Sequence, residues 1–265
     1  MAVSDLPRVV DAAWLAAHLG DDDLVVCDVR GPNAHTRGHI PGSRPLVLGS
    51  PPPGADEATV LELAKEVALR LRRHGVTGDE QLVLVDRGDG MGAMPAAQMA
   101  ELAGHRQVAI LLGGIAGWQG ELAEGTVELE PVRDASLEPN PRAFPTRQEL
   151  AQRLGDDSLA ILDVRTQEEY TGKTGNHCDP RQGHIPGARR VGLEDLLAGP
   201  GEPLPADRIR EAVGLPEGAE VVAYCHSGSR SALATLALRS AGYDARNYAG
   251  SWHEWSRHDE LPLER

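Results

Sequence analysis

Aromatic side chains are scarce in this chain of 265 residues: four tryptophans, four tyrosines and one phenylalanine. With so few rings, the core must be filled by Val, Leu, Ile and Ala, and their short runs mark the interior elements. Cysteine is scarcer still. Cys27, Cys178 and Cys225 are odd in number, far apart and without a C-x-x-C pair, which argues against a disulfide framework and for a reducing cytoplasm. No apolar run reaches the length of a membrane span. The amino-terminal MAVSDLPRVVDAAWL lacks the cationic flank and apolar stretch of an export signal. Positive charge is also short, because 26 Lys and Arg against 40 Asp and Glu give a formal net charge of −14. Nucleic acid and anionic membrane are therefore poor partners, since both need a basic footprint. An anionic substrate would need a local positive cluster working against that field.

What the chain does have is repetition. LAAHLGDDDLVVCDVR (Leu15 to Arg30) and LAQRLGDDSLAILDVR (Leu150 to Arg165) agree at ten of sixteen positions without a gap. GHIPGS (Gly38 to Ser43) pairs with GHIPGA (Gly183 to Ala188), and LLGGIAGW, ending at Trp118, pairs with NYAGSWHEW, ending at Trp255. The chain therefore reads as two copies of one unit of about 120 residues, an ordinary domain size. The first copy is expected over residues 1–124 and the second over 145–265, joined by a Pro-rich, acidic and extended linker at 125–144. DAAWLAAHLG, ATVLELAKEVALRLRRHG and SALATLALRSAG carry helical patterns, whereas LVVCDV, LVLVD, VAIL, LAILDV and VVAYC are short and apolar on both sides. Such strands suit a parallel sheet covered by helices, which predicts two α/β domains.

In the second copy, VVAY runs into Cys225, then HSGSR, then a helix. That turn lies at the carboxyl end of a strand, where open α/β sheets bind ligands. The helix amino terminus beside Cys225 favours its thiolate, the nucleophilic form. Ser227, Gly228 and Ser229 are small enough for their backbone N–H groups to curl into an anion-holding nest. Arg230 is expected to grip an oxyanion in two-point fashion, and His226 adds further positive charge.

Together, DVR…GHIPGA, YCHSGSRSA and GSWHEW resemble the tandem-domain rhodaneses, the thiosulfate and 3-mercaptopyruvate sulfurtransferases. The resemblance covers essentially the whole chain. It implies two rhodanese-like α/β domains, each a central parallel sheet flanked by helices, with Cys225 catalytic through a persulfide. Its implied partners are a small anionic sulfur donor, thiosulfate or 3-mercaptopyruvate, and a cyanide or thiol acceptor. No cofactor and no metal are called for, because the persulfide itself carries the sulfur. Four residues separate Cys225 from Arg230, whereas cysteine-dependent phosphatases resemble one another in having five. A loop this narrow suits one sulfur atom better than a tetrahedral phosphate.

Donor identity stays open. Ser227 resembles the serine in the loop of mercaptopyruvate enzymes, while His226 and Arg230 make the loop more cationic, as in thiosulfate enzymes, which is the reading favoured here. A sulfur-carrying or protein-binding module without turnover is the alternative outside enzymology.

In the first copy Asp86 stands at the place of Cys225 and Met91 at that of Arg230, so the first half is expected to be silent. It would either cover the second active site or simply stabilise it. The resemblance places an arginine near Arg181 against the substrate's anionic group; the alternative for Arg181 is a structural ion pair. Asp163 and Arg165 recur as Asp28 and Arg30 in the silent half, and His184 as His39, which makes them scaffold, with a minor proton-transfer claim for His39 from the mercaptopyruvate branch. Cys27 aligns with a strand leucine and belongs in the core. Cys178 lies in an insertion peculiar to the second half and is expected to be an inert loop cysteine, the sharper alternative being a thiol that takes sulfur from, or disulfide-bonds with, Cys225. A metal site of His177, Cys178, Asp179 and His184 would set adjacent residues in one coordination sphere and matches no standard zinc spacing.

Overall fold

A computed structural model describes residues 8–49 and 55–265. The amino-terminal residues 1–7, part of the segment read for an export signal, lie outside the described residues. The described chain divides into two compact units, residues 8–49 with 61–141, and residues 55–60 with 142–265.

Along the first half run β1 (Val9–Val10), α1 (Ala12–His18), β2 (Leu24–Asp28), α2 (Pro32–Thr36) and β3 (Arg44–Pro45). They are followed by α3 (Glu57–Arg73), β4 (Gln81–Val85), α4 (Ala93–Leu102), β5 (Val108–Leu111) and α5 (Gly114–Gly117). The five strands form one wholly parallel sheet in the order β1-β5-β4-β2-β3. The expected linker holds no helix or strand beyond the 3-10 turn Pro141–Ala143. It is not free chain, however. Val132, Ser136 and Asn140 donate backbone N–H groups to the carbonyls of Arg72, Thr77 and Leu102 at 3.0, 2.9 and 2.8 Å, which ties this stretch along the first unit.

The second half contains α6 (Arg147–Gln152), β6 (Leu159–Asp163), α7 (Gln167–Tyr170), β7 (Arg189–Arg190) and the antiparallel hairpin β8 (Leu197–Gly199) and β9 (Glu202–Pro203). Then come α8 (Ala206–Val213), β10 (Glu220–Tyr224), α9 (Ser229–Ser240), β11 (Asp244–Asn247) and α10 (Ser251–Trp255). Here too the main sheet is parallel, in the order β11-β10-β6-β7.

The pleat of β10 explains its continuous apolar run. Val221, Ala223 and Cys225 pack in one cluster with Ala234, Ala237 and Leu238 of α9, while Val222 and Tyr224 pack in another with Trp252 and Trp255 of α10. Both tryptophans are fully buried, and removing side chains of that size costs about 3–5 kcal/mol. Scarce aromatics are thus concentrated behind the strand that ends in the cysteine. The strands with apolar runs were all legible in the sequence. β11, which reads DARN, the hairpin strands β8 and β9, and the two-residue strands β1, β3 and β7 were not, since they lack such runs. Among the described residues, no helix is long and apolar enough to cross a membrane.

Candidate active site

Cys225 follows β10 directly, and its thiol is buried. Gly228, with φ +90°, turns the chain into α9; a Cβ there would meet the Ala249 carbonyl oxygen at 2.6 Å, so only glycine fits. This turn aims the Gly228 N–H at the Cys225 sulfur, 3.2 Å away. Of the three small residues expected to form a nest, Gly228 is the one whose N–H meets the sulfur; Ser227 is exposed and Ser229 begins α9. The Ser231 hydroxyl, one turn into α9, lies 3.4 Å from the sulfur and 3.1 Å from the Gly228 carbonyl oxygen.

Ser251 completes the surroundings. Its Oγ accepts the Cys225 N–H at 3.1 Å, donates to the Tyr248 carbonyl at 2.8 Å and stands 4.0 Å from the Cys225 sulfur. It is the one non-glycine with positive φ among the described residues, at +54°. In the first copy the equivalent position is Gly114, with φ +49°, and the neighbouring contact recurs: Ile115 N–H to Asp86 carbonyl at 2.9 Å against Trp252 N–H to Cys225 carbonyl at 3.0 Å. A serine held where its copy has a glycine is backbone strain retained for a hydroxyl.

Behind the loop, Arg165 forms a two-point pair with Asp163, 2.6 Å at its shortest, and donates to the Gly183 carbonyl at 2.6 Å. Tyr224 donates its hydroxyl to Asp163 at 2.7 Å and accepts the Ile185 N–H at 3.1 Å. The first half repeats the pair as Arg30 on Asp28 and on the Gly38 carbonyl, so both are scaffold that pins the GHIPG turn to the strand. His184 and His39 are likewise built in, each with Nδ1 2.9 Å from a backbone carbonyl, of Tyr170 and His35 respectively, and each stacked on that residue's ring.

The charge of the site is more balanced than the sequence suggested. Arg230 does make a two-point contact, but its partner is Glu169 of α7, at 2.9 Å for each oxygen. The reason is local: Glu169 is the capping-box residue of α7, fixed by the Thr166 N–H at 3.0 Å, and so stands ready for the guanidinium. Burial pushes the Glu169 carboxyl up, but hydrogen bonds from Arg230 and Thr166 outweigh it and hold the group down at about 2. His226, expected to add charge, has its Nε2 3.0 Å from a carboxylate oxygen of Asp179.

Arg181 is not part of this loop. Its guanidinium donates to the carbonyls of Ser256, Leu261 and Trp255 at 2.9, 2.8 and 2.9 Å, and to that of His258. Four carbonyls of the chain end consume the donors that a substrate anion would need, which corrects the expected substrate contact: Arg181 is a clamp on the carboxyl-terminal segment. Cys27 is fully buried, and burial pushes its thiol up to about 12, in keeping with a core role.

In the first half Asp86 fills its own loop. One carboxylate oxygen accepts the Gly88 N–H at 2.9 Å, and the other accepts those of Gly92 and Ala93 at 3.1 and 3.2 Å. The carboxylate sits where the second loop presents a sulfur, and the amides are already satisfied.

Cys178 and Asp179 do not meet His177 and His184, as one sequence reading would have them; they converge instead with His226 and His253. Ser231, Ser251, Glu169 and His253 were missed by sequence reasoning. The partners of Glu169, His253 and Ser251 lie far away in the chain, Ser231 reads as an ordinary small residue in the first turn of α9, and only Ser251, a serine opposite a glycine in the aligned copies, left a trace.

A family model for the rhodanese-like domain matches residues 11–121 and 146–258. The chain is similar to a Pseudomonas aeruginosa protein named as a probable 3-mercaptopyruvate sulfurtransferase, with 33% identity over 97% of each chain. It is similar to the thiosulfate sulfurtransferase of the same organism, with 30% identity over 98% of each. A crystal structure of a probable thiosulfate sulfurtransferase superposes with a TM-score of 0.73 at 33% identity, covering 92% of this chain and 98% of the other.

Proposed function

The chain belongs to the rhodanese-like family, and from that premise we propose that it is a sulfurtransferase whose second domain, read over residues 145–265, moves sulfane sulfur through Cys225. The observation that carries this reading is the buried Cys225 sulfur at the end of β10, met by the Gly228 N–H at 3.2 Å and set at the head of α9. An N–H aimed at the sulfur in this way is a hydrogen-bond donor for whatever negative charge the sulfur carries during the cycle.

In the proposed reaction the Cys225 thiolate attacks the outer sulfur of thiosulfate. The sulfur–sulfur bond of the donor breaks, sulfite leaves with the electron pair, and Cys225 carries a persulfide. Cyanide or a thiolate then attacks the outer sulfur, leaves as thiocyanate or a persulfide, and returns Cys225 to its thiolate. Arg230 can meet the departing anion once that anion competes with Glu169 for its guanidinium. The first domain, read over residues 1–124, takes no part in this chemistry because Asp86 cannot act as a sulfur nucleophile. A reducing compartment such as the cytoplasm suits the cycle, since Cys225 must return to a free thiolate after each transfer.

A second reading has its own support. Glu169 on Arg230 and Asp179 beside His226 offset the positive charge that a dianionic donor would use, which favours the monoanionic 3-mercaptopyruvate. One experiment separates the two: sulfite release from thiosulfate with cyanide as acceptor, measured beside pyruvate release from 3-mercaptopyruvate, for wild type and Cys225→Ser. Faster turnover of thiosulfate, lost in the variant, supports the first reading, and faster turnover of mercaptopyruvate supports the second. A single burst of product without turnover points to a sulfur carrier. Activity surviving in Cys225→Ser overturns the nucleophile.

A further inference from the structure

Beside the sulfur loop, four potential ligand atoms from Cys178, Asp179, His226 and His253 lie within 4.8 Å of one another. They come from three segments: a turn in the insertion of the second half, the residue after Cys225, and α10. The turn makes adjacent residues converge. Asn176 accepts the Cys178 N–H with its side chain at 3.2 Å and the Asp179 N–H with its carbonyl at 3.0 Å, which brings the Cys178 sulfur to 3.6 Å from an Asp179 oxygen. The same sulfur is 3.5 Å from His253 Nδ1 and 3.9 Å from His226 Nε2. The two imidazole nitrogens stand 2.9 and 3.0 Å from the two Asp179 oxygens. With zinc–sulfur bonds of about 2.3 Å and zinc–nitrogen or zinc–oxygen bonds of about 2.0–2.1 Å, a tetrahedral site has ligand–ligand edges of roughly 3.3–3.7 Å. The observed separations bracket that range.

Asp179 supplies an independent observation. Its carboxylate is fully buried, and Oδ2 has no hydrogen-bond partner, because His226 Nε2 is near it without hydrogen-bond geometry. A buried carboxylate oxygen that accepts no hydrogen bond is costly, and a cation completes it. We propose that Cys178, Asp179, His226 and His253 form a binding site for a divalent transition-metal ion, with zinc as the best fit. One thiolate, one carboxylate and two imidazoles are zinc donors, whereas magnesium and calcium select all-oxygen sets.

Arg257 holds the place of the ion. One of its N–H groups donates to Asp179 Oδ1 at 3.0 Å and the same nitrogen is 3.0 Å from His253 Nδ1, while another N–H group donates to the Cys178 carbonyl. This side chain is about a third exposed, so in the proposed site guanidinium and metal are alternative cations for one carboxylate. Zinc binding releases the Cys178 thiol proton to solvent and displaces Arg257.

The test uses the full chain, stripped with a chelator and dialysed, then titrated with zinc against a chromophoric competitor and separately with cobalt(II). Wild type and Cys225→Ser are expected to bind one equivalent of zinc alike and to show a thiolate-to-cobalt absorption in the near ultraviolet. Cys178→Ser, at an exposed position, should abolish that band and weaken zinc at least tenfold, with a similar loss for His253→Gln. Arg257→Gln should move the other way and tighten binding. Absence of stoichiometric binding overturns the site, as does binding indifferent to Cys178→Ser and His253→Gln. A cobalt band lost in Cys225→Ser but kept in Cys178→Ser overturns it too. Because the readout is metal uptake in a chain without the Cys225 thiol, its failure is distinct from failure of the sulfurtransferase reading.

Discussion

Arg230 closes on Glu169 with two parallel hydrogen bonds of 2.9 Å, so the arginine of the sulfur loop is neutralised before any donor arrives. A donor anion must compete with a carboxylate that the α7 capping box already holds in place.

Glu169→Gln should therefore lower KM for thiosulfate severalfold and that for 3-mercaptopyruvate less, because the dianion gains more from a released cation. Stability should fall in exchange. The Glu169 carboxyl is held at about 2, below its ordinary range, so the pair's contribution is complete above pH about 4.5 and is lost as pH falls through about 2. Screened by solvent and shared with the Thr166 hydrogen bond, that contribution is on the order of 1–2 kcal/mol. Urea denaturation of the two proteins should thus differ at pH 7 and converge near pH 2; equal stability at pH 7 would show that the pair contributes nothing.

Ser251→Gly is expected to split stability from rate. Glycine relieves the positive φ at about 1 kcal/mol, while loss of the hydroxyl leaves the Cys225 N–H without its acceptor at a similar cost. The melting temperature should barely move. Persulfide formation in a stopped-flow burst should slow about fivefold, the effect of roughly 1 kcal/mol on the barrier. An unchanged burst rate would reduce Ser251 to a spacer.

Arg181→Ala tests the clamp against the substrate contact first expected there. Removal of a guanidinium from four carbonyls should cost about 2–4 kcal/mol and speed proteolysis after residue 255, with KM for either donor changed less than about twofold. A large rise in KM without loss of stability would return Arg181 to the substrate.

Asp86→Ala should unsettle the first loop alone. The N–H groups of Gly88, Gly92 and Ala93 lose their acceptor, at about 2–3 kcal/mol, while sulfur transfer per folded molecule stays the same. Calorimetry and donor turnover on one sample read both quantities. A fall in turnover would give the first half a catalytic part.

The internal repeat made the central strands legible, since the apolar runs of β2 and β4 were supported by their copies β6 and β10. The loop was legible as well, because Cys225, Gly228 and Arg230 are neighbours in the chain and Gly228 is forced by geometry. What escaped was every contact closed over distance. Glu169 meets Arg230 from sixty-one residues away, Asp179 balances His226 across forty-seven, and His253 reaches Cys178 across seventy-five. The charge of an isolated arginine or histidine is visible in a sequence; the carboxylate that offsets it is not. For Arg181 the donors were apparent, but not the row of carbonyls that a short helix end and its tail present to them.

A carboxylate cannot be oxidised by peroxide or alkylated by iodoacetamide. With Asp86 seated on its own amides and Cys27 sealed in the core, the first half is deaf to thiol reagents, whereas the second answers them first through the exposed Cys178 and more slowly through the buried Cys225. Peptides from both loops, recovered from one digest, would then register exposure on one side and a blank on the other. The chain is its own dosimeter and its own control.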